Sequence, residues 1–154
     1  MTKPHIVQVA NLVVDALASE DAQDGMAIKF VPERQWVARR GKDEMGLGQA
    51  YVDVLHDSEQ IEMRTRDSTS LNDYGVQVVI RGRIDATGGN DSVEQADRLM
   101  LVAEQIKDYL RHNKIAEGLA LVRIEQPAIF DTDAFKDHNV FTAGPVFIYR
   151  AQRN

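Results

Sequence analysis

Between Tyr74 and Asp85 the chain alternates with a period of two. Tyr74, Val76, Val78, Ile80, Gly82 and Ile84 share one side, and Gln77, Val79, Arg81, Arg83 and Asp85 share the other. That repeat is the side-chain geometry of a β-strand, and the apolar side must be covered by something. The next segment supplies a cover. Ala96, Leu99, Ala103, Ile106 and Leu110 recur at three- and four-residue steps, the stripe of an amphipathic helix that stops near His112 and Asn113. Ser92 and Gln95 read as its capping box. A second stripe, Ile6, Val9, Ala10, Val13, Ala16 and Leu17, predicts an N-terminal helix over about 2–22. Thr2 would be its N-cap, Pro4 sits in the tolerant first turn, and Gly25 ends it.

Further strands follow from the same periodicity. Met26, Ile28 and Phe30 share a face, and Trp36 and Val37 continue the pattern beyond Pro32, predicting a strand over 26–40 with a bulge or an edge at the proline. Strands are also expected over 50–56, over 119–125 before Pro127, and over 140–150. The stretch 57–73 holds only Ile61, Met63 and Leu71 as apolar residues. It reads as a long exposed connection with at most a short edge strand. The order α-β-β-(β)-β-α-β-β predicts one α+β domain over 1–154: a mainly antiparallel β-sheet with two α-helices packed on one face, plus an extended polar arm at 57–73.

Composition narrows the chemistry. The absence of cysteine among 154 residues excludes a disulfide scaffold, a Cys-ligated zinc or Fe–S site and a thiol nucleophile. Twenty-four acidic against eighteen basic residues give a net charge of −6, the wrong sign for a generic duplex-DNA binder. No apolar run approaches the roughly 20 residues of a membrane span. Asp15, Glu20 and Asp21 break up the N-terminal segment, so it is not expected to be a signal peptide.

No catalytic constellation stands out. His5, His56, His112 and His138 fall on different elements with no paired metal-ligand spacing. Asp131, Asp133, Asp137 and His138 form the best candidate cation or enzyme loop, but the loop lacks the glycine and closing glutamate of a calcium site. Glu59 with Glu62, and Asp91 with Glu94, are carboxylates at turn-like spacing on an acidic chain, where solvated surface positions are expected. No phosphate loop or nucleophile elbow occurs. The expectation is therefore no enzyme, no cofactor and no metal. Two basic spots interrupt the acidic chain: Arg39-Arg40, which suit edge protection, and Arg64 with Arg66, which suit docking on an acidic neighbour.

The layout resembles a known group. An N-terminal helix, a strand pair and a polar arm holding Glu62-Met63-Arg64-Thr65-Arg66-Asp67 precede Tyr74-Gly75-Val76-Gln77-Val78-Val79-Ile80. A second helix over 97–106 and the ending Val140-Phe141-Thr142-Ala143-Gly144-Pro145-Val146-Phe147-Ile148-Tyr149-Arg150 complete the pattern. In element order it resembles the tail terminator (tail completion, neck) proteins of tailed bacteriophages. The resemblance implies a non-enzymatic virion protein, assembled in the host cytoplasm. It would form a homo-oligomeric, six-fold ring on the head-proximal end of the tail tube. Such a ring stops tube polymerisation and joins the tail to the head-side connector, with DNA only passing through its channel and no membrane partner. Its contacts would map onto the arm between Asp57 and Asp73, with Arg64 and Arg66 as the arm's basic residues; Glu62, Met63 and Asp67 of the arm, and Arg39 and Arg40, are the further subunit or partner contacts expected. Pro145 departs from the pattern, because a proline inside a strand removes a ladder donor. The alternatives are another neck or tail component, such as a head-completion or tube-like protein, and a free-standing α+β binding module.

Overall fold

A computed structural model describes residues 5–38, 44–64, 69–85, 90–126, 131 and 139–153. In chain order the elements are α1 (His5–Ala18), α2 (Glu20–Asp24), β1 (Glu33–Gln35), β2 (Tyr51–Arg64), β3 (Thr69–Arg83), α3 (Asn90–His112), β4 (Ala120–Glu125), β5 (Val140–Ala143) and β6 (Val146–Arg153). The fold is α+β. A six-stranded mixed sheet runs β1-β2-β3-β6-β4, with β5 also paired to β3. Only β1 on β2 is parallel; the other named pairs are antiparallel.

The alternation at 74–85 sets the core. Tyr74, Val76, Val78 and Ile80 of β3 are buried beside Val52 and Val54 of β2 and Phe147, Tyr149 and Ala151 of β6. The stripes of α1 (Val9, Ala10, Val13, Leu17) and α3 (Leu99, Val102, Ala103, Ile106, Leu110) cover that face. The opposite face is more mixed, with Asp53 paired across from Val79 and both buried.

Several expectations need correction. The N-terminal helix is two helices, so there are three among the described residues. Ser19 takes an extended backbone, accepts the Ala22 N–H at 3.2 Å and so caps α2, while its hydroxyl donates to Ala16 O at 2.8 Å. Gly25 caps α2 rather than one long helix. The strand expected over 26–40 shrinks to β1. Backbone donors that a ladder would use are taken by side-chain amides: Ala27 N–H donates to Gln105 Oε1 at 2.7 Å, and Phe30 N–H to Gln23 Oε1 at 2.9 Å. Ser92 is not an N-cap but lies inside α3. Its hydroxyl donates to Asp85 O, and Gln95 Oε1 accepts the Asp85 N–H, both at 2.8 Å. The pair clamps the end of β3 instead of capping the helix. Thr2 and Pro4 lie outside the described residues.

The largest correction is at 57–73. It is mostly strand: Ser58 to Arg64 pair with Gly75 to Thr69, extending β2 and β3 into a long hairpin. A register shift between His56 and Ser58 marks a bulge, and Gly75 stands opposite Ser58. A Cβ on Gly75 would collide with the Ser58 hydroxyl, so the strands approach there only because position 75 has no side chain. The last predicted strand is split into β5 and β6 by Gly144-Pro145. Ile80 faces Ala143 and Gln77 faces Val146, so both halves keep one register on β3. Val78 N–H donates to Pro145 O at 3.0 Å, and the proline has no N–H to return. The proline therefore costs one ladder donor without shifting the strand.

Gly82 is where α3 comes closest to the sheet. A Cβ there would collide with the Leu99 side chain and lie 3.1 Å from Gln49 O. Leu99 is 2% exposed. Leu99→Ala should cost about 2–5 kcal/mol as a cavity, and Gly82→Ala about 1–3 kcal/mol as overpacking. Because each substitution relieves the other, the double variant should be less destabilised than the sum in urea unfolding. Strict additivity would show that the two positions do not touch.

Candidate interaction surface: the arm, the open edges and a cavity

The hairpin beyond the bulge is a three-stranded arm. Beside β3, the chain of β6 continues until Arg153 faces Ser70. At its root Arg150 grips Asp73, Nε to Oδ1 at 2.8 Å and Nη2 to Oδ2 at 3.0 Å, across directly paired positions. The Arg150 hydrogen bonds hold the Asp73 carboxyl below its ordinary value, against a smaller opposing effect of burial. Next to it Asn72 Nδ2 donates to Tyr74 OH at 3.0 Å. Asn72 Oδ1 and the Tyr149 hydroxyl are buried with no partner among the described residues. Burial pushes the Tyr149 phenol well above its usual range.

The structure places the sequence-predicted contacts unevenly. Glu62, Met63 and Arg64 end β2 at the tip of the arm, paired with Leu71, Ser70 and Thr69. Arg66, Asp67, Arg39 and Arg40 lie outside the described residues, so the structure does not bring the seven together. The same holds for Asp133, Asp137 and His138 of the candidate loop. Asp131 is exposed and its N–H donates to Thr142 O at 2.8 Å. Among the described residues no group of three His, Asp or Glu could hold a metal ion, and no helix is long and apolar enough to cross a membrane.

Sequence reasoning missed a cluster at the β1 edge. Trp36, assigned above to a strand face, stands 69% exposed between Val31 at 80% and Val37 at 54%. Its ring is tilted 56° against His56, with centroids 4.2 Å apart. Arg34 Nη1 lies 3.3 Å from His56 Nε2. A guanidinium only donates, so Nε2 accepts and the neutral ring carries its proton on Nδ1. That Nδ1 is buried without a partner among the described residues. Burial, then the Arg34 charge, lower the His56 pKa. The usable signal was Pro32, which marks an edge, followed by three large apolar residues with no helical or strand phase in common.

The opposite edge carries β4, with Val122 exposed and Arg123 paired to Glu125 at 2.8 Å. Between β4, the end of α3 and the 113–119 turn lies a cavity of about 580 Å³. Leu110, Ile115, Leu119 and Leu121 wall it, Tyr149 contributes from β6, and Arg111, His112 and Lys114 border it.

Two pH windows follow. Asp73 has a depressed folded pKa, so its contribution to stability is present above the unfolded value near 3.8 and fades as pH falls through the folded one. Asp73→Asn should therefore be less stable than wild type at pH 7, with the gap closing at pH 2–3 in denaturant titrations. His56 also has a depressed folded pKa, so its contribution is present above 6.5 and is lost on acidification through the folded value. His56→Gln should flatten the fall in stability between pH 7 and 5; an unchanged slope would remove His56 as its source.

Compared with known proteins, the chain matches no family model and no curated protein sequence.

Proposed function

We propose that this chain is a structural assembly protein that closes into a homo-oligomeric ring and acts as a phage tail terminator. In that reading it sits on the head-proximal end of a tail tube, halts tube growth and joins tail to head connector. The observation that carries it is that, among the described residues, no strand pairs beyond β1 on one side of the sheet or beyond β4 on the other. β1, flanked by exposed Val31, Trp36 and Val37, ends one side and β4 ends the other. Unlike edges make a heterologous contact, and a heterologous contact with a suitable rotation closes into a ring. The arm adds a second contact surface. Beyond Leu55 the outer edge of β2 carries no strand among the described residues, and Asp57, Glu59 and Ile61 are exposed along it. Exposed strand edges of this kind are usually covered by a partner or guarded by charge. The net charge of −6 suits a DNA channel, since an anionic wall does not retain a passing polyanion.

A binding-module reading draws on the cavity beside β4, and predicts a stable monomer that takes up a small molecule there. Light scattering after size exclusion, with negative-stain microscopy, separates the two. Rings of one size support the terminator reading, unlimited filaments point to a tube protein, and a monomer at every soluble concentration refutes self-assembly. The double variant Arg64→Glu, Arg66→Glu should keep the wild-type fold, checked by circular dichroism. It should weaken ring formation or attachment to tubes, and wild-type assembly on native gels would remove the two arginines from the contact.

A further inference from the structure

We infer that His56 is a proton-operated latch on β1: the neutral ring holds this edge strand on β2, and the protonated ring lets β1 and Trp36 leave while the rest of the sheet stays folded. The latch acts within one chain and does not depend on the self-assembly reading. Its hold comes from two side chains that close on one imidazole. Arg34 Nη1 lies 3.3 Å from His56 Nε2, and the Trp36 ring lies against the same imidazole with centroids 4.2 Å apart. The strand they secure is short. β1 has three residues and, among the described residues, pairs with β2 alone, Glu33 to Gln35 on Asp53 to Leu55. A three-residue strand with one neighbour opens at far lower cost than the sheet behind it.

The chemistry of the ring makes this hold conditional. A guanidinium can only donate, so its bond to Nε2 lasts only while Nε2 keeps a lone pair. A proton taken up there sets one N–H against another and a second positive charge beside the first. Nδ1 gives no relief, because it is buried without an acceptor among the described residues. The surrounding elements bring no carboxylate into contact with the ring either. β3 places Val76 opposite His56 and Tyr74 next on that face, and Glu33 of β1 alternates to the other face. α1 carries His5 and Asp15, both exposed, and on β2 itself Asp57 and Glu59 are exposed beyond the bulge. Arg34 is the one hydrogen-bond partner His56 has among the described residues. Trp36 offers its face to a cation, but at 69% exposure that attraction is at its weakest.

Proton uptake and opening are therefore one event. Burial and the Arg34 charge hold the closed ring below its ordinary value of 6.5, whereas a ring freed into water titrates there, so acid favours the open form. Opening also changes what the sheet presents. With β1 away, the edge of β2 from Asp53 to Leu55 joins the stretch from Ser58 to Arg64, which has no strand on its outer side among the described residues. Acidification thus lengthens an unpaired strand edge, the feature most prone to take up another strand.

The test uses the full chain, at one mass by light scattering. Between pH 7.5 and 5 the amides that bond β1 to β2 should lose protection against hydrogen exchange by up to about thirty-fold, the factor for a ring that titrates at 6.5 only once open. The amides of Val76, Val78 and Ile80 on β3 should keep theirs. Nitrogen NMR should place the His56 proton on Nδ1 at pH 7.5, and the ring protons should lose their displacement by Trp36 as the pH falls. His56→Gln can accept from Arg34 and does not titrate, so its β1 should stay protected at pH 5. Equal loss of protection in His56→Gln, an imidazolium formed while β1 stays protected, or a ring that titrates at or above 6.5 would each overturn the latch. So would β3 amides opening in step with those of β1, because the transition would then be global. Should His56→Gln fail to fold, the ring titration and amide exchange of the wild-type chain decide by themselves.

Discussion

The structure depends on β3 being paired along both edges at once. Its helix-side residues Tyr74, Val76, Val78 and Ile80 are fully buried, so its peptide groups cannot turn to water and must find strand partners. β2 takes one edge over the whole length, and β6 and β5 share the other. This requirement explains features that look incidental in isolation. Pro145 is tolerated because the register on either side of it is already fixed by β3. Gly75 and Gly82 fall where a neighbour must approach the strand closely, the first under Ser58 and the second under Leu99. The clamp of Ser92 and Gln95 on Asp85 carries the same constraint past the end of the strand. It fixes where α3 begins, and so which residues of its stripe reach the sheet.

What could be read from the residues alone follows the same logic. The alternation at 74–85 and the stripes ending at Leu17 and Leu110 were legible because local spacing and burial report the same thing there. The α+β class followed directly. At 26–40 the apolar spacing was real, with Met26 and Phe30 buried, but Gln23 and Gln105 bind the backbone donors first. Spacing does not reveal that competition. At 57–73 polarity was read as the absence of structure, although it reports only exposure. A strand lying beyond the helices has no core under it and needs no apolar face; its hydrogen bonds to β3 and the neighbouring β6 hold it instead.

The candidate surface was legible only in part. Arg64 at the arm tip stood out because cations are scarce there. Trp36 did not, because an apolar residue in an alternating context is read as buried. Its exposure arises from chain geometry, since β1 ends one residue earlier and the chain leaves the sheet. The cavity beside β4 was equally hidden. It forms where the end of α3, the 113–119 turn and β4 meet the distant β6, and no local pattern encodes that meeting.

Charge then constrains how copies of this chain can meet. Bodies of net charge −6 repel at long range, so any self-association would have to come from short, directional contacts in which apolar area is buried and opposite charges are placed locally. Two unlike edges on a twisted sheet provide direction. Adjacent strands turn by about 20–25°, so across four spacings the β4 edge is rotated by roughly 80–100° relative to β1. A copy docked by β1 onto a neighbour's β4 edge therefore cannot continue the sheet as a flat ribbon. Each addition would inherit a set rotation, and at a heterologous contact such a rotation gives a ring where it closes and an open helical filament where it does not.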